Sequence, residues 1–512
     1  MSKKIKGTKK SSQVKVVKGV LDISRSGIGF VLVEGMDKDV LVRPNDFNRA
    51  FHGDTVRVQI DKHAVPGKRT EGKITEVVER KQTEFIGDLQ VGKNFAFFIA
   101  DTEKPMPDFF IPGDKLNGAS NGERVVARLT KWDKADKKPE GEVVNVIKAE
   151  DMNDFAMKEL LIDNGFPLTF DAAVMKDANE LSEKITREEL KKRKDCRDIL
   201  TFTIDPVDAK DFDDAISIRN LDNGNYEIGV HIADVSHFVK PDTALDKSAY
   251  ERATSVYLPD RVNPMLPEKI SNELCSLRPN EDKYTFSVIY QINNRAEIKH
   301  SWIGRTVIHS NHRFSYEEVQ EIIEKKDGLH FKPILLLNDL AQKFRRERFR
   351  KGAINFSSQE VRFKLDEKGK PIAVVIKESK EAHKLIEEFM LLANRTVAEY
   401  VSKIKINKQP IPFPYRIHDT PDDEKLKPFA AFAKKFGYTF NLHDEEAVAA
   451  SFNKMLKDVQ GKQEQHVLEQ LGIRTMAKAI YTSSSIGHYG LGFEHYCHFT
   501  SPIRRYPDLQ IH

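Results

Sequence analysis

Through the first 150 residues the apolar positions come in short runs broken by Gly, Asn or Asp: "GIGFVLVEG", "DVLVRP" and "DTVRVQI", then "NFAFFIAD", "DFFIP" and "RVVARLTKW". Short strands between turn formers predict small closed β-barrels. The pattern also repeats. "GDTVRVQI" from Gly53 returns as "GERVVARL" from Gly122, and "EGKITEVV" from Glu71 returns as "EGEVVNVI" from Glu140, both 69 residues on. A shared offset marks duplication of a whole small unit. Two tandem barrels are therefore expected, over 17–82 and 83–150. Residues 151–190 turn helix-like and charged, as a connector. Residues 191–512 mix both periodicities and predict an α/β (α+β) domain. Within it, "DDAISIRNLDNGNYEIGVHIADVSHFV" predicts two strands around an Asn-Gly turn. Apolar residues at spacings of three and four predict helices in "EAHKLIEEFMLLANRTVAEYVSKI" and "EQHVLEQLGIRTMAKAIYTS", with "IPFPYRIHDTPDDEKL" a Pro-rich loop between them.

At 512 residues the chain is too long for one ordinary core. It holds no apolar run of about 18 residues, so no membrane span or membrane partner is expected. The start of the chain has no apolar segment of the signal-peptide kind. Cys196, Cys275 and Cys497 are few and widely spaced, which predicts buried, unpaired thiols and a cytoplasmic setting. The net charge of +4 is mild but uneven, with seven Lys and no acid in residues 1–18. Residues 1–16 are expected to be a flexible basic arm, solvated or touching nucleic acid.

Chemistry concentrates in "TIDPVDAKDFDDAISI", which carries Asp205, Asp208, Asp211, Asp213 and Asp214. Carboxylates so close raise one another's pKa unless a cation neutralises them. An EF-hand calcium loop would need a Gly and a distal Glu that do not fall in place here. A donor set of oxygen alone suits Mg2+, or Mn2+ of the same class, better than Zn2+. Such a site activates water for phosphodiester hydrolysis, and a further cation steadies the phosphate oxygens. Arg504 and Arg505 in "HFTSPIRRYPDLQIH" are candidates, since a guanidinium meets phosphate with two parallel hydrogen bonds. The barrel aromatics Phe30, Phe95, Phe97, Phe98, Phe109 and Phe110 are either core or, beside Arg43, Arg57, Lys73 and Lys93, a stacking platform for single strands.

"TIDPVDAKDFDDAISI", "GVHIADVSHFV", "YLPDRVNPMLP", "YRIHDTPD" and "HFTSPIRRYPDL" resemble the catalytic-domain signatures of the ribonuclease II superfamily. With two units resembling cold-shock-type OB domains ahead of them, the chain is most similar to the family's bacterial ribonuclease R branch. The resemblance implies a processive, hydrolytic 3′-to-5′ exoribonuclease that releases nucleoside 5′-monophosphates, with Mg2+ as cofactor. The resemblance also implies action on single-stranded 3′ ends and on structured RNA with a 3′ overhang. It further implies a monomer, with ribosomes or the RNA-decay machinery as associates. Asp205, Asp211, Asp213 and Asp214 match the acidic metal motif, with Asp213 nearest the reaction, and Arg504 matches the arginine on the scissile phosphate. Tyr257 and Phe356 match the clamp that stacks on terminal bases. Tyr316, and Glu387 or Glu388, match positions holding the last nucleotides; Arg505 is counted with the RNA contacts. Family members continue past the SPIRRYPDL motif, so the catalytic domain is expected to be incomplete at His512 and the chain a piece of a longer protein.

Other chemistry is set aside on spacing. His488, His495, Cys497 and His498 fit no paired zinc pattern. His231 and His237 are expected to be packed, hydrogen-bonded histidines, and "KKRKD" near Lys191 a solvated helix face. From other classes, a non-catalytic RNA-binding protein on a nuclease scaffold is disfavoured by the intact aspartates and Arg504. A DNA-directed metallonuclease is separable by comparing RNA and DNA oligomers.

Overall fold

The duplicated pattern folds as two five-stranded closed barrels in the computed structural model, which describes residues 15–36, 38–60, 70–133, 138–147, 152–356, 360–366, 369–377 and 379–512. The basic arm lies outside the described residues except at its last two positions. The first barrel comprises β1 (Val16–Ile23), β2 (Gly29–Leu32), β3 (Val40–Val42), β4 (Thr55–Ile60) and β5 (Glu71–Glu79). The second comprises β6 (Glu84–Val91), β7 (Phe95–Ala100), β8 (Phe109–Pro112), β9 (Arg124–Lys131) and β10 (Glu140–Val146). The repeat is exact in the fold: β4 and β9 begin 69 residues apart, as do β5 and β10. Alternation turns Leu21, Val31, Val40, Val56 and Val58 inward in one barrel and Leu89, Phe98, Phe109, Val125 and Ala127 in the other. Phe51, between β3 and β4, packs into the second barrel against Phe85 and Trp132, with ring centres 5.4 and 5.2 Å away.

The barrel aromatics divide between core and surface. Phe98 and Phe109 are core, whereas Phe95, Phe97 and Phe110 form an outer cluster with centroids 5.4 and 5.6 Å apart around Phe95. Lys138 lies 4.2 Å from the centre of the Phe97 ring. Of the cations expected beside such a face, Arg43, Arg57 and Lys73 are paired with Glu71, Glu76 and Asp46 in the first barrel.

The chain divides into two units between Phe170 and Asp171. The helix-like connector gives three helices, Met152–Asp163, Ala172–Glu180 and Arg187–Leu190, so the division falls inside it. The second unit is built on a sheet of β11 (Lys194–Asp195), β12 (Thr201–Asp205), β13 (Asp214–Asn220) and β14 (Tyr226–Ala233) with three later strands. A short ribbon, β15 (Val256–Tyr257) and β16 (Val262–Asn263), stands apart; β17 (Asp282–Ile292), β18 (Ile298–His309) and β19 (His312–Ser315) complete the sheet. Its order is β11-β18-β17-β14-β13-β12-β19. The Asn-Gly turn joins β13 to β14 antiparallel, with Gly224 at φ +77 where a side chain would be strained. The helices Phe331–Arg350 and Glu381–Ser402 pack on the sheet through Ile334, Leu337, Leu385, Phe389 and Leu392.

Three expectations are corrected. The helix expected over 464–483 ends at Thr475, and Ile480–Thr482 is a strand against Tyr415–Ile417. That second strand lies inside the supposed Pro-rich loop, where β-branched and aromatic residues pair across the chain. In "KKRKD" Arg193 is not solvated: its side chain is fully buried 2.7 Å from Asp234. His231 is the packed histidine foreseen, between Ser287 and Ser217 at 2.7 and 2.8 Å, and burial pushes its pKa down to about 3.

Candidate active site

The aspartate cluster exists because two adjacent strands end together. β12 and β13 pair antiparallel, Phe202 opposite Ile216, so Asp205 at the end of one faces the start of the other at Asp214. β19 runs parallel on the far side of β12 with Ser315 opposite Asp205, which brings Tyr316 to the same corner. Ser315 caps the helix Tyr316–Lys325 by accepting from the Glu318 amide at 3.2 Å. The intervening loop is strapped from two sides. Ser276 Oγ donates to Lys210 O at 2.7 Å and accepts from the Phe212 amide at 3.0 Å. Arg313 donates to Val207 O at 2.9 Å and lies 5.5 Å from the Phe212 ring centre. Neither strap is readable from the sequence, since each joins segments more than 60 residues apart.

Asp213 is 4% exposed. One carboxylate oxygen accepts the Ile503 amide at 3.0 Å and the other lies 3.3 Å from Arg504 Nε. The SPIRRY segment is thus pinned onto the cluster. The Arg504 side chain, 45% exposed, also donates to Ser501 Oγ at 3.1 Å. The Tyr257 hydroxyl donates to Asp211 at 2.9 Å, while its ring remains half exposed. Burial pushes Asp213 up to about 8, against the pull of Arg504 and the Ile503 amide. Burial also raises Asp205 and Asp214 to about 7, with repulsion by Asp213 and Asp211 added at Asp205 and by Asp205 added at Asp214. Tyr316 is raised by burial and then by Asp214 and Asp205, which places its hydroxyl in their field.

The remaining candidates separate. Glu388 is 3% exposed and held by Arg348 at 2.5 Å, so its carboxylate is committed inside the fold. Glu387, one residue earlier, is the exposed member of the pair, 3.5 Å from Arg348. Arg505 is bound to both oxygens of Asp508, at 2.9 and 2.8 Å. Phe356 packs on Phe452, 5.5 Å between ring centres, in a helical satellite core. The structure therefore gathers Asp205, Asp211, Asp213, Asp214, Tyr257, Tyr316 and Arg504, and gives Glu388, Arg505 and Phe356 partners of their own.

Whether a dication fits can be judged from the donors. One carboxylate oxygen of Asp205 is buried without a hydrogen-bond partner beside the like charge of Asp214. A hard cation relieves that arrangement. Among the described residues no three His, Cys, Asp or Glu side chains surround one point, Asp211 and Asp213 being turned to Tyr257 and Arg504. The donor chemistry fits, and the Asp205–Asp214 pair is where it fits as the chain stands. A pH dependence follows. Carboxylates raised from 3.8 to about 7 and 8 bind more protons folded than unfolded. Their contribution is complete at acid pH and is lost as pH rises through the folded values. In chelator, stability to urea is expected to fall between pH 4 and 8 and to recover with Mg2+ at the upper end. A flat profile unaffected by Mg2+ would contradict the arrangement.

Comparison with known proteins agrees with the geometry. The RNB domain family matches residues 193–512, the cold shock domain family 97–171 and the ribonuclease B OB domain family 19–77. The chain is 34% identical to ribonuclease R of Aquifex aeolicus across 100% of its own length and 74% of that protein. Mycoplasma genitalium RNase R, solved with ribose-methylated single-stranded RNA, superposes with a TM-score of 0.76 at 27% identity, covering 97% of this chain and 78% of that one. Yeast Ssd1, a pseudonuclease, shares the fold at a TM-score of 0.63 and 21% identity, over 97% of this chain and 68% of its own. Fold therefore does not fix activity, and the site residues carry that argument. With a catalytic-type sheet, two OB-type barrels and relatives matched over most of their length, the chain belongs to the RNB-domain ribonuclease II superfamily, in its ribonuclease R branch.

Proposed function

We propose that the chain serves as a 3′-to-5′ exoribonuclease that hydrolyses RNA to nucleoside 5′-monophosphates with Mg2+, or Mn2+ as the alternative ion. The observation that carries this is one sheet corner holding four aspartates, an outward guanidinium and two tyrosines. Arg504, braced by Asp213 and Ser501, is positioned to take the non-bridging oxygens of the scissile phosphate. Asp205 and Asp214, joined by Asp211 and Asp213, are the residues that would hold the ion. When bound, Mg2+ supplies a water acidic enough to act as nucleophile and neutralises charge on the leaving oxygen. The half-exposed ring of Tyr257 offers a face to a terminal base, and Glu387, the more exposed of the two glutamates, is the carboxylate to accept a ribose 2′-hydroxyl, the contact that prefers RNA over DNA. The outer rings Phe95, Phe97 and Phe110 with Lys138 form a sequence-tolerant stacking surface. The complex of the Mycoplasma genitalium relative with single-stranded RNA supports this choice of ligand, and a 3′ overhang is how structured RNA would enter.

Tyr257 provides the test. Base–aromatic stacking is worth about 1–3 kcal/mol per base. Tyr257→Ala is expected to leave a longer final oligomer from 5′-labelled poly(A) while degradation continues, and a DNA oligomer of matched length is expected to persist. Tyr257→Phe keeps the ring but frees Asp211, so it should restore the wild-type end product and change only the rate. An unchanged ladder in the Ala variant removes Tyr257 from the clamp; equal degradation of DNA removes the RNA assignment.

A further inference from the structure

Around His498, six residues before Arg504, a second group of side chains meets that the proposed mechanism does not use. Arg416 lies opposite Tyr481 where Tyr415–Ile417 pairs with Ile480–Thr482, and Tyr415 bridges Cys497. The guanidinium carbon of Arg416 is 4.7 Å from the centre of the Tyr481 ring, and the Tyr481 hydroxyl is 2.6 Å from His498 Nδ1. Burial, then Arg505, Arg416, His488 and Arg504, push the His498 pKa down to about 3, so the imidazole is neutral in the field of three arginines. Tyr481 and His498 are thus tied by one hydrogen bond that fixes the ring beside the guanidinium. Arg505 is neutralised by Asp508. Arg416, half-buried, has no carboxylate or side-chain hydrogen-bond partner among the described residues. A guanidinium kept partly out of water beside other cations is unfavourable unless an anion arrives to meet it.

We propose that Arg416, Tyr481 and His498 form a phosphate subsite next to Arg504, taking a phosphate of the RNA chain adjacent to the scissile one. The cation–π contact with Tyr481 holds the planar fork in one orientation. That fork supplies parallel donors without an acid to compete, beside the neutral His498 ring. The identity of the ligand rests on the exoribonuclease reading above, whereas its charge rests on this geometry. The 5′-phosphate of a released nucleotide has the same chemistry, so the test separates the two sources.

The test measures affinity of the protein for a 5′-labelled RNA oligomer across a salt series without Mg2+, with one phosphate at a time replaced by a neutral methylphosphonate from the 3′ end. Arg416→Ala is expected to weaken native RNA about tenfold and to make the logarithmic salt slope shallower by about 0.7. One methylphosphonate position should erase the difference between wild type and variant. Should Arg416→Ala fail to fold, Arg416→Lys keeps the charge without the fork and should show a loss of about threefold at that same position. Adenosine 5′-monophosphate is the competitor in the second arm. Unchanged competition in the variant assigns the chain phosphate. Lost competition with intact RNA affinity moves the subsite to the released nucleotide and overturns its place on the chain. Equal affinity in wild type and variant, or a loss spread evenly over all positions, overturns the subsite itself. Wild-type protein that binds the oligomer but releases no nucleotide with Mg2+ counts against the exoribonuclease reading and leaves the subsite standing.

Discussion

Asp213→Asn is expected to lower Mg2+-dependent release of nucleoside monophosphates by about a thousandfold, a loss of the size seen when one preorganised electrostatic group is removed. The reason lies in what the carboxylate holds. Its two oxygens accept the Ile503 amide and face Arg504. An amide offers only one oxygen, so its NH2 must be set against either the Ile503 N–H or the guanidinium. The variant therefore loses a charge from the proposed ion site and loosens the arginine proposed to meet the phosphate. RNA binding depends on stacking and on cations, and removing a negative charge lessens repulsion of phosphate. Affinity should stay within about threefold or tighten. Turnover and affinity measured side by side decide the matter. Near-normal turnover takes Asp213 away from the reaction, and parallel loss of binding makes the cluster structural.

Glu388→Ala should destabilise the catalytic unit by about 3–5 kcal/mol, because it strands the buried charge of Arg348. Both partners are nearly solvent-free, and Arg345 adds a second contact to Glu388 at 3.4 Å. Glu387→Ala, one residue away on the exposed side, should stay within about 0.5 kcal/mol. Urea unfolding of the two variants with Mg2+ present reads the contrast. Equal stabilities would show that the Arg348 charge is relieved elsewhere. If Glu387→Ala instead changes discrimination between RNA and DNA while Glu388→Ala changes only stability, the two adjacent glutamates divide between binding and folding as their burial indicates.

The parts of the fold that could be read in the sequence are those written in local periodicity. Duplication at one offset located both barrels, the Asn-Gly turn located β13 and β14, and the three-four spacing located Glu381–Ser402. Where local pattern and long-range pairing disagree, pairing wins: the run after Thr475 becomes a strand because Tyr415–Ile417 lies beside it. The same limit applies to the site. Spacing singled out the aspartates and the paired arginines, but it did not say that Arg505 would turn to Asp508 and Arg504 to Asp213. Nor did it separate Glu387 from Glu388, since their difference is set by Arg348, a residue 40 positions away. The cations of the first barrel were legible as charge and not as pairs, because each partner sits on a neighbouring strand.

On the proposed function, this corner hydrolyses a phosphodiester at the 3′ end by activated water. Mass spectrometry of the products formed from a single-stranded RNA with Mg2+ in 18O-labelled water tests it directly. Expected are nucleoside 5′-monophosphates released in order from the 3′ end, each with one 18O in its phosphate, with release about a thousandfold slower from Asp213→Asn. Nucleoside 3′-phosphates, 2′,3′-cyclic phosphates or unlabelled 5′-monophosphates from the wild-type protein would contradict it.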